Sequence, residues 1–344
     1  NQFHDIMAGT SLKSAYEDAR NLYGEAMSIA ERNLNYAVQS LSWNINIEER
    51  KGMKPIVVFN PHSWKSQVNV EIEAGKVSED SRLINDKGEE IPMQLVKSEA
   101  TSWGRKRLSF TTDLPAYGYR VYKLLPEASS DGNESRGVEA TDYSLENDKY
   151  RLEIDPDTGY ISSLYDKNNN FEVFQNQAAC PVVINDESDT WSHDVFKFDD
   201  EIGRFEAEKI NLVEDGPVKS VLRVESKYMN STLIQDFTMY SDLDEIEVSV
   251  KVNWQEQLKM LKLQFPVNLN SRRATYEIPY GHKERETTGE EEPGQSWLDI
   301  TGIMSNRNEV YGLSLINDAK YSYDVLNETM SLTVLRSPVY AHHN

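Results

Sequence analysis

The sequence predicts a mainly β protein, in which one long N-terminal α-helix is followed by a small antiparallel β domain and a large antiparallel β-sandwich. Three observations carry this. One apolar stripe with the 3.5-to-3.6-residue period of a bundle helix runs from Leu12 to Leu41 and has no counterpart later. From Pro55 the period changes to two, the alternation of half-buried strands. Polar turns rich in Asn, Asp and Gly then recur at short spacing, without a helical repeat or solenoid period.

The helix is expected from Ser11 to Trp43. Leu12, Ala15, Ala19, Leu22, Ala26, Ile29, Leu34, Ala37 or Val38, and Leu41 form its stripe. Thr10 or Ser11 is placed to cap it, while Glu17, Asp18 and Glu25 face outward. Such a stripe needs a cover: another copy of the chain, giving a homodimer through Ser11–Trp43, the β domains, or a further segment. Residues 1–50 are therefore read as a bundle-helix unit. Residues 51–126 form the small β domain, built on Ile56-Val-Val-Phe59, the alternation Val68, Val70, Ile72, and a hairpin turn at Asn85-Asp-Lys-Gly88. Residues 127–137, within the stretch PEASSDGNESRG, read as a linker. Residues 138–344 form the large domain. Its strands include Lys149–Ile154, Tyr160–Tyr165 across the turn Asp155-Pro-Asp-Thr-Gly159, Val218–Tyr228, Thr232–Tyr240 and Met330–Leu335.

Composition narrows the function classes. With 57 acidic and 36 basic residues among 344, the net charge is −21, which repels nucleic acid and anionic membrane surfaces and is compatible with a neutral partner such as a sugar. The single cysteine, Cys180, excludes an internal disulfide framework and fits a reducing cytoplasm. No apolar run is long enough to span a membrane. No nucleophile elbow, phosphate-binding glycine loop or Cys-x-x-Cys pair is present.

Two clusters carry candidate chemistry. His4 and Asp5 stand side by side before a Gly-Thr-Ser turn. A neutral imidazole is a good zinc ligand, and a carboxylate binds metal or a hydroxyl-rich ligand, but zinc needs three or four ligands and nothing nearby supplies them. On spacing alone, a His-Asp pair capping a helix or sitting on a frayed terminus is the reading the residues favour. Asp186-Glu-Ser-Asp-Thr-Trp-Ser-His-Asp194 packs carboxylates, Trp191 and His193 into nine residues. Aromatic rings stack on sugar faces while carboxylates hold hydroxyls, so Trp191, His193 and Asp194 are candidate substrate-binding residues; an acidic loop with Trp191 folded back as a lid is the alternative. His62 reads as a turn histidine, Glu290-Glu-Glu292 as a solvated charge run, Glu286–Gln295 as a mobile polar loop, and His342 and His343 as a terminal pair.

The run Asn-Gln-Phe-His-Asp-Ile at the start resembles a signature of glycoside hydrolase family 38, the retaining α-mannosidases. Val58–Trp64 (VFNPHSW), Asp155–Lys167 (DPDTGYISSLYDK), Asp189–Asp194 (DTWSHD), Tyr276–Gly281 (YEIPYG) and Leu335–Pro338 (LRSP) resemble the same family, in order along the chain. Phe3 stands where the more familiar version has a first histidine. The resemblance implies that the large domain is a β-supersandwich of the galactose-mutarotase type, with some C-terminal sheet absent. It implies that His4 is a zinc ligand and that Asp5 touches bound mannose. It also implies a zinc-dependent, cytoplasmic, bacterial glycosidase acting on α-mannosides. The nucleophile, the acid/base and the other zinc ligands lie in an α/β domain preceding the signature, so this chain alone is expected to be inactive. A non-catalytic carbohydrate-binding β-sandwich module is the rival reading, marked by a shallow aromatic platform.

Overall fold

The computed structural model describes residues 5–6, 9–48, 50–73, 75, 77, 80–97, 106–126 and 137–340. His4, His342, His343 and nearly all of the expected linker lie outside them.

The helix runs from Lys13 to Ser42. Leu12 is its N-cap and makes no side-chain cap, so the capping role expected of Thr10 or Ser11 is corrected. Thr10 instead turns inward, its N–H and hydroxyl both reaching the Asp5 carbonyl, at 3.0 and 3.2 Å. The Tyr16 hydroxyl accepts the Ser11 N–H and faces the carbonyls of Asp5 and Ile6, which ties residues 5–6 to residues 10–11 beside the first helical turn. Along the stripe Ala19 is buried, but Leu22 and Ile29 are 53% and 47% exposed. The helix therefore does not bury its stripe on the β domains of its own chain, which corrects that half of the expectation. The reason lies in the sheets: each β domain closes its core on itself, and no helix residue belongs to any buried cluster. No described helix is long and apolar enough to cross a membrane.

The small domain is the expected β-sandwich. One sheet has the order Lys54–Asn60, Gly118–Leu125, Arg82–Ile84, Glu90–Ile91, and the other Ser66–Ile72, Lys106–Leu114, Gln94–Lys97. Leu83, Leu108, Phe110, Tyr122 and Leu124 fill the space between. The Asn85–Gly88 hairpin forms as its residues dictate: Asn85 Oδ1 accepts the N–H groups of Lys87 and Glu89, and Gly88 takes φ +85°. Gln94 docks this domain on the large one by accepting the N–H groups of Val218 and Lys219, while Lys219 Nζ lies 2.6 Å from Glu71.

Four antiparallel sheets make the large domain. The one that positions the site has six strands in the order Glu201–Arg204, Cys180–Asn185, Lys259–Pro266, Thr329–Arg336, Ser322–Leu326, Glu292–Pro293. The others are built around Tyr150–Ile154 with Ile161–Asp166, around Lys219–Tyr228 with Ser231–Tyr240, and around Trp297–Met304. One extended core joins them, from Val138 and Leu145 through Phe237 and Phe265 to Tyr323 and Leu332. At the Asp155–Gly159 turn, Asp155 Oδ1 accepts two backbone N–H groups, and Gly159 takes φ +75° with its α-carbon pressed between Val224 and Ala207. Any side chain there would collide.

The reading of residues 286–295 as a mobile loop is corrected. Gly281–Glu286 pairs with Arg273–Ile278 as a hairpin, and Glu292–Pro293 joins the six-stranded sheet. Nor is Glu290–Glu292 a solvated charge run. Glu291 lies 2.6 Å from the buried Lys262 ammonium, which also pairs with Asp324, and Glu292 pairs with Arg285. Burial opposes the charge on Lys262, but the two carboxylates outweigh it and hold its pKa above the usual lysine value.

Candidate functional site

The site grows from the strand Cys180–Asn185, which lies between Glu201–Arg204 and Lys259–Pro266. At its end the chain leaves the sheet through Asp186, whose carboxylate is fully buried. A buried carboxylate needs a charged partner. Arg336, at the end of its strand, supplies one through two hydrogen bonds, 2.8 and 3.2 Å, to the two carboxylate oxygens. The same guanidinium donates to the Ser188 hydroxyl at 2.8 Å and the Asp189 carbonyl at 3.3 Å, and lies 4.8 Å from the Phe198 ring centre.

Asp189, also fully buried, shapes the rest of the loop. Its Oδ1 accepts the N–H groups of Trp191 and His193, at 3.0 and 3.3 Å, and its Oδ2 lies 2.5 Å from His193 Nδ1. Ser192 and Asp194 are held at φ +55° and +58°, a left-handed conformation unusual for residues with side chains and costing about 1–3 kcal/mol each. The hydrogen bonds to Asp189 and Arg336 fix that conformation. Trp191 is 44% exposed with its ring centre 6.0 Å from that of His193, and Asp194 is exposed. Trp191 thus does not fold back as a lid. A cleft of about 310 Å³ opens beside the loop, lined by Asp186, Ser188, His193, Lys197, Phe198 and Asp199 among others.

The segment after Arg336 links this loop to the N-terminal turn. Val339 bridges Asp189, and its N–H donates to the Ser188 carbonyl at 3.0 Å. Tyr340 then reaches the carbonyl of Thr10 through its hydroxyl, at 3.2 Å. Asp5, half-buried, sits in the turn that Thr10 closes. Val339 and Tyr340 therefore join the turn of Asp5 to the loop of Trp191, His193 and Asp194, two clusters that are far apart in sequence. His4 lies outside the described residues.

Sequence reasoning picked the exposed residues of the loop and missed what holds them: Arg336, Asp186, Asp189 and Tyr340. Arg336 stood inside one of the quoted motifs, but its partner is 150 residues away, and nothing in the spacing pairs them. The loop offers an aromatic ring, an imidazole and carboxylates, a set suited to a neutral, hydroxyl-rich ligand; of the predicted residues His193 lines the cleft, and Trp191 and Asp194 stand outside its lining. The set does not suit a metal. Among the described residues no three His, Cys, Asp or Glu side chains converge on a metal position, and His193 Nδ1 is engaged with Asp189, so these residues do not by themselves make the zinc site that the resemblance implies.

Comparison with known proteins identifies the family and the fold. The model of the family described as "Glycosyl hydrolases family 38 C-terminal domain" matches residues 145–344. Alpha-mannosidase G of Dictyostelium discoideum is 24% identical over 98% of this chain and 34% of its own length. Alpha-mannosidase 2C1 of Homo sapiens is 26% identical over 98% of this chain and 30% of its own length. The chain thus spans about a third of the length of these curated relatives. A crystal structure of an alpha-mannosidase from Enterococcus faecalis V583 superposes with a TM-score of 0.75, at 14% identity, over 97% of this chain and 45% of that one, a likeness of fold. By the match over residues 145–344, the chain belongs to glycosyl hydrolase family 38, through that family's C-terminal domain.

Proposed function

We propose that this chain is the helix and β-domain portion of an α-mannosidase that hydrolyses α-mannosides with retention of configuration. The observation that carries the reading is the junction of the two clusters. The turn bearing Asp5 and the loop bearing Trp191, His193 and Asp194 meet at Val339 and Tyr340. In this reading Asp5 and Asp194 accept hydroxyls of the sugar, Trp191 stacks on its apolar face, and His193, fixed by Asp189, adds a further polar contact. The rigidity of the loop means that these groups are placed before the sugar arrives, which lowers the ordering cost of binding.

A retaining glycosidase needs two carboxyl groups about 5 Å apart across the scissile bond, one a nucleophile and one an acid/base. The proposal assigns both to the part of the curated relatives that this chain does not cover. It assigns His4 as one zinc ligand, with the remaining ligands from that same part. The single buried cysteine fits a reducing compartment, and the proposed location is the cytoplasm.

The test compares this chain with a protein extended to the full length of the relatives. The 344-residue chain should turn over no aryl α-mannoside and should take up zinc weakly or not at all. In the extended protein, His4→Ala should remove zinc and activity together, while Asp5→Ala should keep zinc and lower turnover. Saturable turnover that co-purifies with the 344-residue chain, or a fully active His4→Ala enzyme, would overturn the assignment.

A further inference from the structure

A second surface, on the small β domain, is left unused by the site above. Phe59-Asn-Pro-His-Ser-Trp64 leads from the strand Lys54–Asn60 into Ser66–Ile72. The buried Asn60 locks this turn: its amide donates to the carbonyls of Trp64 and Pro115, at 2.8 and 3.0 Å, and its Oδ1 accepts the His62 N–H at 2.9 Å. The Tyr117 N–H adds a bond of 2.8 Å to the His62 carbonyl. The conformation is thus fixed from within.

What the turn displays is aromatic and open to water. The His62 ring stacks on the Trp64 ring, 4.6 Å between centres and 13° from parallel, and Trp64 is 60% exposed. Both line a cleft of about 460 Å³ with Lys65 and Gln67. Neither ring belongs to the domain core, which Leu83, Leu108, Phe110, Tyr122 and Leu124 make without them. A tryptophan held rigidly at the surface beside polar groups offers a flat apolar face and polar contacts together, which suits it to ligand and partner contacts.

We propose that this cleft is a carbohydrate subsite that takes a neutral pyranose ring. The C–H face of such a ring stacks on Trp64, and its hydroxyls meet the side chains of Lys65, Gln67 and His62. The cleft is of a size that holds a small ligand. A chain of net charge −21 disfavours an anionic ligand. The lining combines the exposed lysine and amide with the indole, which matches a ring bearing hydroxyls at its edge and C–H groups on its face. The subsite lies on the small domain, whereas the loop of Trp191 belongs to the large one, so a glycan could engage each separately. The choice of mannose as the sugar rests on the function proposed above; the subsite itself does not.

The test is titration of the full 344-residue chain with methyl α-D-mannopyranoside and with methyl β-D-glucopyranoside, followed by calorimetry or ligand-observed NMR. Trp64→Ala and Trp191→Ala are the two variants; both side chains are well exposed, so melting temperatures should stay at the wild-type value and report that each variant is folded. Expected is saturable binding that persists in Trp191→Ala, where the contact proposed for the large domain is removed, and that adding Trp64→Ala to this variant weakens about tenfold or more. Binding of the glucoside alone, with the same dependence on Trp64, upholds the subsite and counts against mannose as its sugar. No saturable binding of either sugar overturns the proposal. So does binding to Trp191→Ala that survives the addition of Trp64→Ala, or binding that Trp191→Ala alone abolishes.

Discussion

At the scale of single residues, the loop depends on one charge pair. Asp186 has no exposure of its own, so its charge is tolerable only because Arg336 is there. Arg336→Met should cost about 3–5 kcal/mol, the usual penalty for leaving a buried charge without its partner. Proteolysis should then cut within 186–194 before the β domains unfold. Pairing it with Asp186→Asn should recover part of the loss, and equal stability of the single variant and the wild type in urea would contradict this account. A second residue gives a pH signature. The backbone N–H of Thr158, together with Asp157 N–H and the Gln177 amide, holds the Asp155 carboxyl below its ordinary value of 3.8. The folded-state pKa is depressed, so its contribution to stability is present above the unfolded value and is lost as pH falls through the folded one. Asp155→Asn should therefore be less stable than wild type near neutrality, with the gap closing below pH 3.8 in a series of denaturant titrations. A gap that stays constant through that window would show that the charge contributes nothing.

At the scale of elements, the strands that alternate were readable. In Lys219–Tyr228 and Ser231–Tyr240 every second residue, from Ser220 to Ser226 and from Ser231 to Met239, is buried, the period of two that one inward face imposes. Cys180–Asn185 was not readable as a strand: five of its six residues are buried on both faces, so CPVVIN carries no period. Glu290–Glu292 misled for the opposite reason. Three acids in a row look solvated until a lysine 28 residues earlier in the chain, Lys262, proves to be buried beneath them. The helix showed its stripe plainly, but periodicity cannot say what covers a stripe. Since Leu22 and Ile29 face water in the single chain, Leu22→Lys with Ile29→Lys should leave the melting of the β domains within about 0.5 kcal/mol of wild type. If a second copy covers the stripe, the wild-type chain should sediment as a dimer that this double variant dissociates; a wild-type monomer at all concentrations rules out the homodimer through this helix.

At the scale of the whole molecule, the two β domains act as one body through Gln94 and Lys219, and the core runs unbroken across four sheets. Cys180 is buried in a smaller cluster beside that core, with Val182, Ile184 and Met260, and burial pushes its thiol up to about 12. The thiol should thus resist alkylation at pH 8 and react only when the central sheet opens, so its rate under increasing urea reports that opening. Rapid labelling without denaturant would mean that the sheet breathes at its centre.

The clamp on the loop also fixes an order of events. Cys180–Asn185 pairs with Lys259–Pro266, which must wait for Thr329–Arg336 to cover its other edge. During synthesis, Asp186 leaves the ribosome 150 residues before the arginine that will hold it. Until then the central strands present an open edge and the loop has no fixed shape. Long-range pairings of this kind are slow to form and exposed to aggregation while they wait. The loop accordingly takes its shape only after Thr329–Arg336 is made, and a nascent chain halted before Thr329 would carry every candidate residue of that loop without the geometry that holds them.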